Sequence, residues 1–174
     1  MNTLEAIFSR KSVRRFAGDV SQENMEIILK AAYAAPIGRA KYDSVHLTVI
    51  KDAALMEKIN HAAAQMFGNP TMKPLYDAPV FVLASAQLHT PADNVGYSNC
   101  ATIVENMALA ATELGLGACH IWGAVIALNQ TPDLVAALNL PQGFTPCCGL
   151  ILGQTDEPFA EREIPANRIQ TNHI

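Results

Sequence analysis

The stretch SRKSVRRF, residues 9–16, places four cations (Arg10, Lys11, Arg14 and Arg15) within eight positions of a 174-residue chain whose net charge is −4. Most charge runs are solvated helix ends. Three features set this one apart. Ser12 supplies a hydroxyl inside the cluster, Val13 and Phe16 interleave apolar anchors, and Gly18 and a capped helix follow, so the segment is not a tail. Arginine offers paired donors and lysine a compact charge, and with a serine they form the donor set that grips a phosphate. On composition alone, a phosphate site and a surface patch stand level.

A second candidate is GLGACHIWG, residues 115–123. It lacks the third glycine of a dinucleotide fingerprint and follows a helix instead of a strand. Its glycines either bring bare backbone N–H groups against a flat ligand or cap a helix before a strand that buries Trp122. The residues alone favour the second reading, and His120 reads as a hydrogen-bonded structural imidazole. Glu105 and Asn106 sit in an otherwise apolar helix and need partners, which a ligand, a second subunit or an exposed strip of the helix would supply. Cys100, Cys119, Cys147 and Cys148 have no CxxC spacing and read as reduced core thiols. A zinc site from Cys119, His120, Cys147 and Cys148 is disfavoured, because adjacent cysteines on a strand point to opposite faces.

Positioning these residues requires a core, and a chain with 50% hydrophobic residues can build one, so a single domain over 1–174 is expected. No long basic run argues for nucleic acid. The N-terminus MNTLEAIFSRKS has no apolar stretch long enough for a signal h-region, and no apolar run reaches the roughly 18 residues of a membrane span, which points to a cytoplasmic protein. Ser21 caps a helix with Met25, Ile28, Leu29 and Ala32 at helical spacing up to Pro36. SVHLTVI (44–50) reads as a strand, and Asp52 then caps a helix with the stripe Leu55, Ile59, Ala62 or Ala63, and Met66, ended by Gly68-Asn69-Pro70. APVFVLASA (78–86) and CCGLILG (147–153) read as buried strands. Residues 98–117 hold a buried central helix carrying Ile103, Met107, Ala110 and Leu114. Thr131-Pro132-Asp133 opens a short helix through Leu138. Helices and strands mix without strict alternation, so the class is α+β around one sheet.

In order along the chain, SRKSVRRF, AAYAAPIG (31–38), YDAPVFVLA (76–84), CATIVENMALAATELGLGACHIWG (100–123), LNLPQG (138–143) and LILGQTDE (150–157) resemble the signatures of the FMN-dependent nitroreductase family. The resemblance covers nearly the whole chain. It implies a central, mostly antiparallel sheet flanked by helices and an intertwined homodimer that bridges FMN. It implies that Arg10, Lys11, Ser12 and Arg14 meet the phosphate, ribityl or pyrimidine oxygens, with Arg15 unassigned. Pro36, Ile37 and Gly38 match the loop passing along the flavin from the partner subunit. Ile121, Trp122 and Gly123 match the stretch beside the reactive N5 edge, Arg162 the C-terminal basic residue at the phosphate, and Lys73 a further cofactor contact. Ile37, Ala40, Tyr42 and Ser44 replace the family's Ser, Asn, Gln and Trp, and Asn99 stands where an acidic residue is common.

The chemistry implied is a two-step cycle in which NADH or NADPH reduces FMN and leaves, and a small-molecule acceptor such as a nitroaromatic or quinone takes its place. The flavin carries that chemistry, so no side chain is assigned a catalytic role and no metal is expected. The rival from another class is a non-catalytic protein of the same fold that stores or senses FMN. A relative acting on the flavin itself or on halogenated aromatics is the rival among enzymes.

Overall fold

A computed structural model describes residues 2–90 and 93–174. Its strands are β1 (Val45–Ile50), β2 (Val80–Gln87), β3 (Leu116–Ile121) and β4 (Phe144–Gln154), hydrogen-bonded in the order β1-β2-β4-β3 with every pair antiparallel. The helices are α1 (Thr3–Ser9), α2 (Gln22–Tyr33), α3 (Ala53–Met66), α4 (Asn94–Glu113), α5 (Gly123–Asn129) and α6 (Pro132–Ala137). Strand alternation splits the core into two. Val80, Val82, Ala84 and Ala86 of β2 pack with α2 and α4, whereas Phe81 and Leu83 face the core built with α3, α5 and α6. Covered on both faces, β2 reads in the sequence as an unbroken apolar run. The expected α+β architecture with its antiparallel sheet is the one observed.

The central helix is shifted from the expected window. It begins at Asn94 because Asp93 caps it, accepting from the backbone N–H groups of Val95 and Gly96. It ends at Glu113 because Gly115 takes the left-handed conformation (φ +71°) that terminates helices, and Leu116 then enters β3. Trp122 is not core: it is 68% exposed. Thr131 does not cap α6 with its side chain, which donates back to Ala127 O of α5.

Two helices escaped the sequence reading. α1 is held by a reciprocal cap, in which Asn2 Oδ1 accepts from Glu5 N and the Glu5 carboxylate accepts from Asn2 N. α5 (GAVIALN) carries no charge along its length and so shows no amphipathic period. Among the described residues, no helix is long and apolar enough to cross a membrane.

All four cysteines are free, three of them buried. The β2–β4 register pairs Ala84 with Cys148 and Ser85 with Pro146, so Cys147 is the extra residue of a bulge. Strict alternation fails there, and Cys147 and Cys148 both pack against the α4-side core.

Candidate functional site

The basic segment leaves α1 in an extended conformation: Arg10 caps the helix at φ −55°, ψ 130°. Packing then pins it to the sheet. Val13 is fully buried and its N–H donates to Ala118 O of β3, while Ala17 N and Gln154 N make the reciprocal bonds that join Gly18 to the end of β4. A Cβ on Gly117 would lie 2.7 Å from Val13 Cγ1, and one on Gly153 would lie 2.7 Å from Phe16 Cδ1. The second glycine of GLG and the glycine of LILG are therefore seats for the two apolar anchors. Since Val13 lies opposite Ala118 and Gly18 opposite Gln154, itself the partner of Leu116, the segment runs antiparallel to β3. That direction carries Arg10 towards Ile121–Gly123.

Alternation along an extended chain separates the cations. Lys11 pairs with Glu157 (2.9 Å), and its ammonium sits 5.7 Å from the centre of the Phe159 ring. Arg15, with its side chain 88% exposed, also reaches Glu157 at 3.9 Å. Arg10 turns the other way onto Glu105, its Nε 3.2 Å from Oε1. Arg14 lies over the Tyr76 ring, 5.6 Å from its centre, and Ser12 is exposed between them. Arg10 is thus engaged by α4, Arg14 by the turn before β2, and Lys11 and Arg15 by the C-terminal arm. Lys11 and Arg15 together hold the Glu157 carboxyl below the ordinary range, the Lys11 hydrogen bond acting most strongly.

Glu105 gathers a second element. Its Oε2 lies 2.9 Å from His120 Nε2 on β3. The His120 hydrogen bond, with the charges of Arg10, His120 and Arg162, lowers the pKa of this half-buried carboxyl against the opposing effect of burial. Arg162 arrives from the C-terminal arm and is held by its Nε and Nη2, which donate to Phe8 O and Ile7 O. Three cationic or potentially cationic side chains from three separated stretches of sequence therefore surround one carboxylate. Both polar residues that stood out in the apolar helix have partners within the chain: Asn106 Nδ2 donates to Ala31 O.

Ile121 is buried at the end of β3, and the chain passes through exposed Trp122 into α5 at Gly123. No side chain caps α5. The ring of Phe67 and the methyl of Met72 lie against Gly123. Lys73 lies in the turn that carries Tyr76, but its ammonium is paired with Asp77 (3.2 Å) and Glu57 (3.6 Å).

Against this geometry, the Nitroreductase family model matches residues 7–154. The chain belongs to the nitroreductase family. A candidate NADH dehydrogenase/NAD(P)H nitroreductase of Archaeoglobus fulgidus is 32% identical over 141 residues, covering 80% of this chain and 77% of that protein. An NADPH-flavin oxidoreductase of Vibrio harveyi is 27% identical over 179 residues, covering 95% of this chain and 71% of that protein. An FMN-bound nitroreductase of Bacteroides fragilis superposes with a TM-score of 0.82 at 26% identity, covering 99% of this chain and all of that one.

The loop at Pro36–Gly38, which opens the stretch 37–44 where this nitroreductase departs from the family pattern, is anchored to α4. Gly38 N donates to Asn99 Oδ1 and Thr102 Oγ1 donates to Pro36 O, so α4 holds the loop about one to two turns before Glu105. Asn99, expected in an acidic position, has this anchoring role. Ile37 is buried, and two short 3-10 turns follow, at Gly38–Ala40 and Tyr42–Ser44. An adjoining cavity of about 590 Å³ is lined by Tyr33, Ile37, Tyr42, Val45, Leu47 and Ile103 among others, and none of the cationic residues lines it.

Proposed function

We propose that this nitroreductase is an FMN-dependent NAD(P)H oxidoreductase acting on small-molecule acceptors such as nitroaromatics or quinones. The observation that carries the reading is the gathering of Arg10 and Arg162 about Glu105 and His120 on α4 and β3, with Ser12 and Arg14 next along the same extended segment, in a chain of this family. Guanidinium forks and a hydroxyl fit the phosphate and oxygen-rich side chain of FMN. Arg10, Ser12, Arg14 and Arg162 would hold it, and Lys11, which with Arg15 outweighs Glu157, would add positive field, whereas Lys73 would have to leave Asp77 and Glu57 to take part. Ile121, Trp122 and Gly123 would flank the ring, and the uncapped start of α5 leaves backbone N–H groups for it. Hydride transfer from NADH or NADPH and onward to an acceptor is the chemistry FMN supplies when bound. The protein's part is to bind, to orient and to stabilise negative charge with its cations.

The whole chain, 1–174, works as one domain in this reading, and two copies form a homodimer in which Pro36, Ile37 and Gly38 reach the partner's flavin. Exposed Tyr33, Tyr42, Val95 and Tyr97 support an interface on that side. Four unpaired cysteines fit a reducing, cytoplasmic setting. Anaerobic titration of the FMN-loaded protein with NADH and NADPH tests the activity: the flavin absorbance should bleach with one or both. A flavin that stays oxidised with both donors rejects the reductase in favour of an FMN-storing or sensing protein.

A further inference from the structure

We infer that Glu105 and His120 are positioning residues that hold Arg10 for the phosphate of the cofactor, an inference that rests on the FMN reading above. Arginine has two edges that can each bind an oxyanion: one formed by Nε and an Nη, the other by the two Nη groups. Glu105 engages Arg10 through Nε at 3.2 Å, which leaves the Nη pair for a second anion. The carboxylate is itself oriented. His120 takes its other oxygen at 2.9 Å, so that Oε1 is turned to Arg10, and Glu105 stands on α4, which is packed against β2, β3 and β4. Arg162, whose charge also acts on Glu105, is pinned by the carbonyls of Ile7 and Phe8 in α1, the helix that Arg10 terminates.

A carboxylate beside a phosphate site repels the ligand, so its presence needs a compensating effect. Here it keeps a flexible side chain at one place. It also reduces the repulsion between Arg10 and Arg162 before the phosphate arrives. The ordering of the arginine is then completed on folding instead of being charged against binding.

The readout is the preference for FMN over riboflavin, measured as the ratio of their dissociation constants by quenching of flavin fluorescence, because riboflavin lacks only the phosphate. Glu105→Ala should lower that preference about tenfold, the scale of one charge-assisted hydrogen bond, with riboflavin affinity little changed. His120→Ala, at an exposed imidazole, should lower it by a smaller factor, and Glu105→Gln, which retains an acceptor oxygen for Arg10 Nε, should recover most of it. In the Arg10→Ala background, Glu105→Ala should have no further effect, since its action passes through Arg10. An unchanged or raised preference in Glu105→Ala or in His120→Ala overturns the inference, as does a full second loss in the double variant. A wild-type protein that does not prefer FMN to riboflavin would instead bring down the phosphate assignment itself, and this inference with it.

Discussion

The basic segment 10–16 and the loop 36–44 are both assigned to the same cofactor by family pattern, yet the fold treats them in opposite ways. The basic segment is bolted to the sheet: Val13 is buried over Gly117, backbone bonds join it to β3 and β4, and Arg10 is tied to α4. The loop is attached at its start through Asn99 and Thr102 and then turns outward, with Arg39 (φ 58°) and Ala40 (φ 53°) both in the left-handed region that side chains avoid. Half of the proposed site is thus preorganised inside one protomer. The other half, from Gly38 to Asp43, is exposed on the protomer's surface.

The largest effect expected from this contrast is on flavin binding. Arg10→Ala should weaken FMN about 10- to 100-fold, the span of a hydrogen bond to a charged group, while Arg15→Ala should leave it unchanged. Equal losses in a binding titration would mean that alternation along the segment does not sort the cations. Next, Gly117→Ala should destabilise the protein by about 1–3 kcal/mol in urea unfolding. The new methyl would meet Val13 Cγ1 at 2.7 Å, with Phe16 and Thr155 close behind, so the segment must shift and FMN should bind less well too.

Acid should affect the bolted half next. The Glu105 pKa is depressed in the folded protein, chiefly by the His120 hydrogen bond and then by Arg10 and Arg162. The unfolded chain then binds its proton first, so Glu105 contributes stability that is fully present above the ordinary carboxylate value and is lost as pH falls through the depressed one. Denaturant midpoints measured from pH 6 downward should therefore fall more steeply in the wild type than in Glu105→Gln below about pH 4.3. Parallel curves would show that the ion pair adds nothing in solution. The smallest effect belongs to the loop. Arg39→Gly removes the left-handed strain but adds chain entropy, and should change stability by less than about 1 kcal/mol. It should also leave the FMN-to-riboflavin preference of the protomer's own phosphate site intact.

Much of the molecule was legible from residue order. Strands β2 and β4 showed as apolar runs, and α2 and α3 as capped amphipathic helices. Helix α5 was not legible because it has no polar face, and Trp122 was misplaced because an aromatic after a strand is usually core, whereas the chain here turns out of the sheet. The glycines of GLG were readable as special but not as what they are: Gly115 ends a helix, and Gly117 makes room for Val13. Glu105 was conspicuous as a polar residue on an apolar helix, but its partners lie 95 residues back in sequence and 15 ahead, at Arg10 and His120.

Local chemistry explains that division. Alternation, capping and composition act between near neighbours, so the sequence by itself determined the α+β class, most elements, the family and the cationic character of residues 10–14. Which partner each cation meets and which glycines seat side chains depend on the register of 10–18 against β3 and β4. That register comes from burying Val13 and Phe16 against distant parts of the chain, and only the tertiary structure decided it.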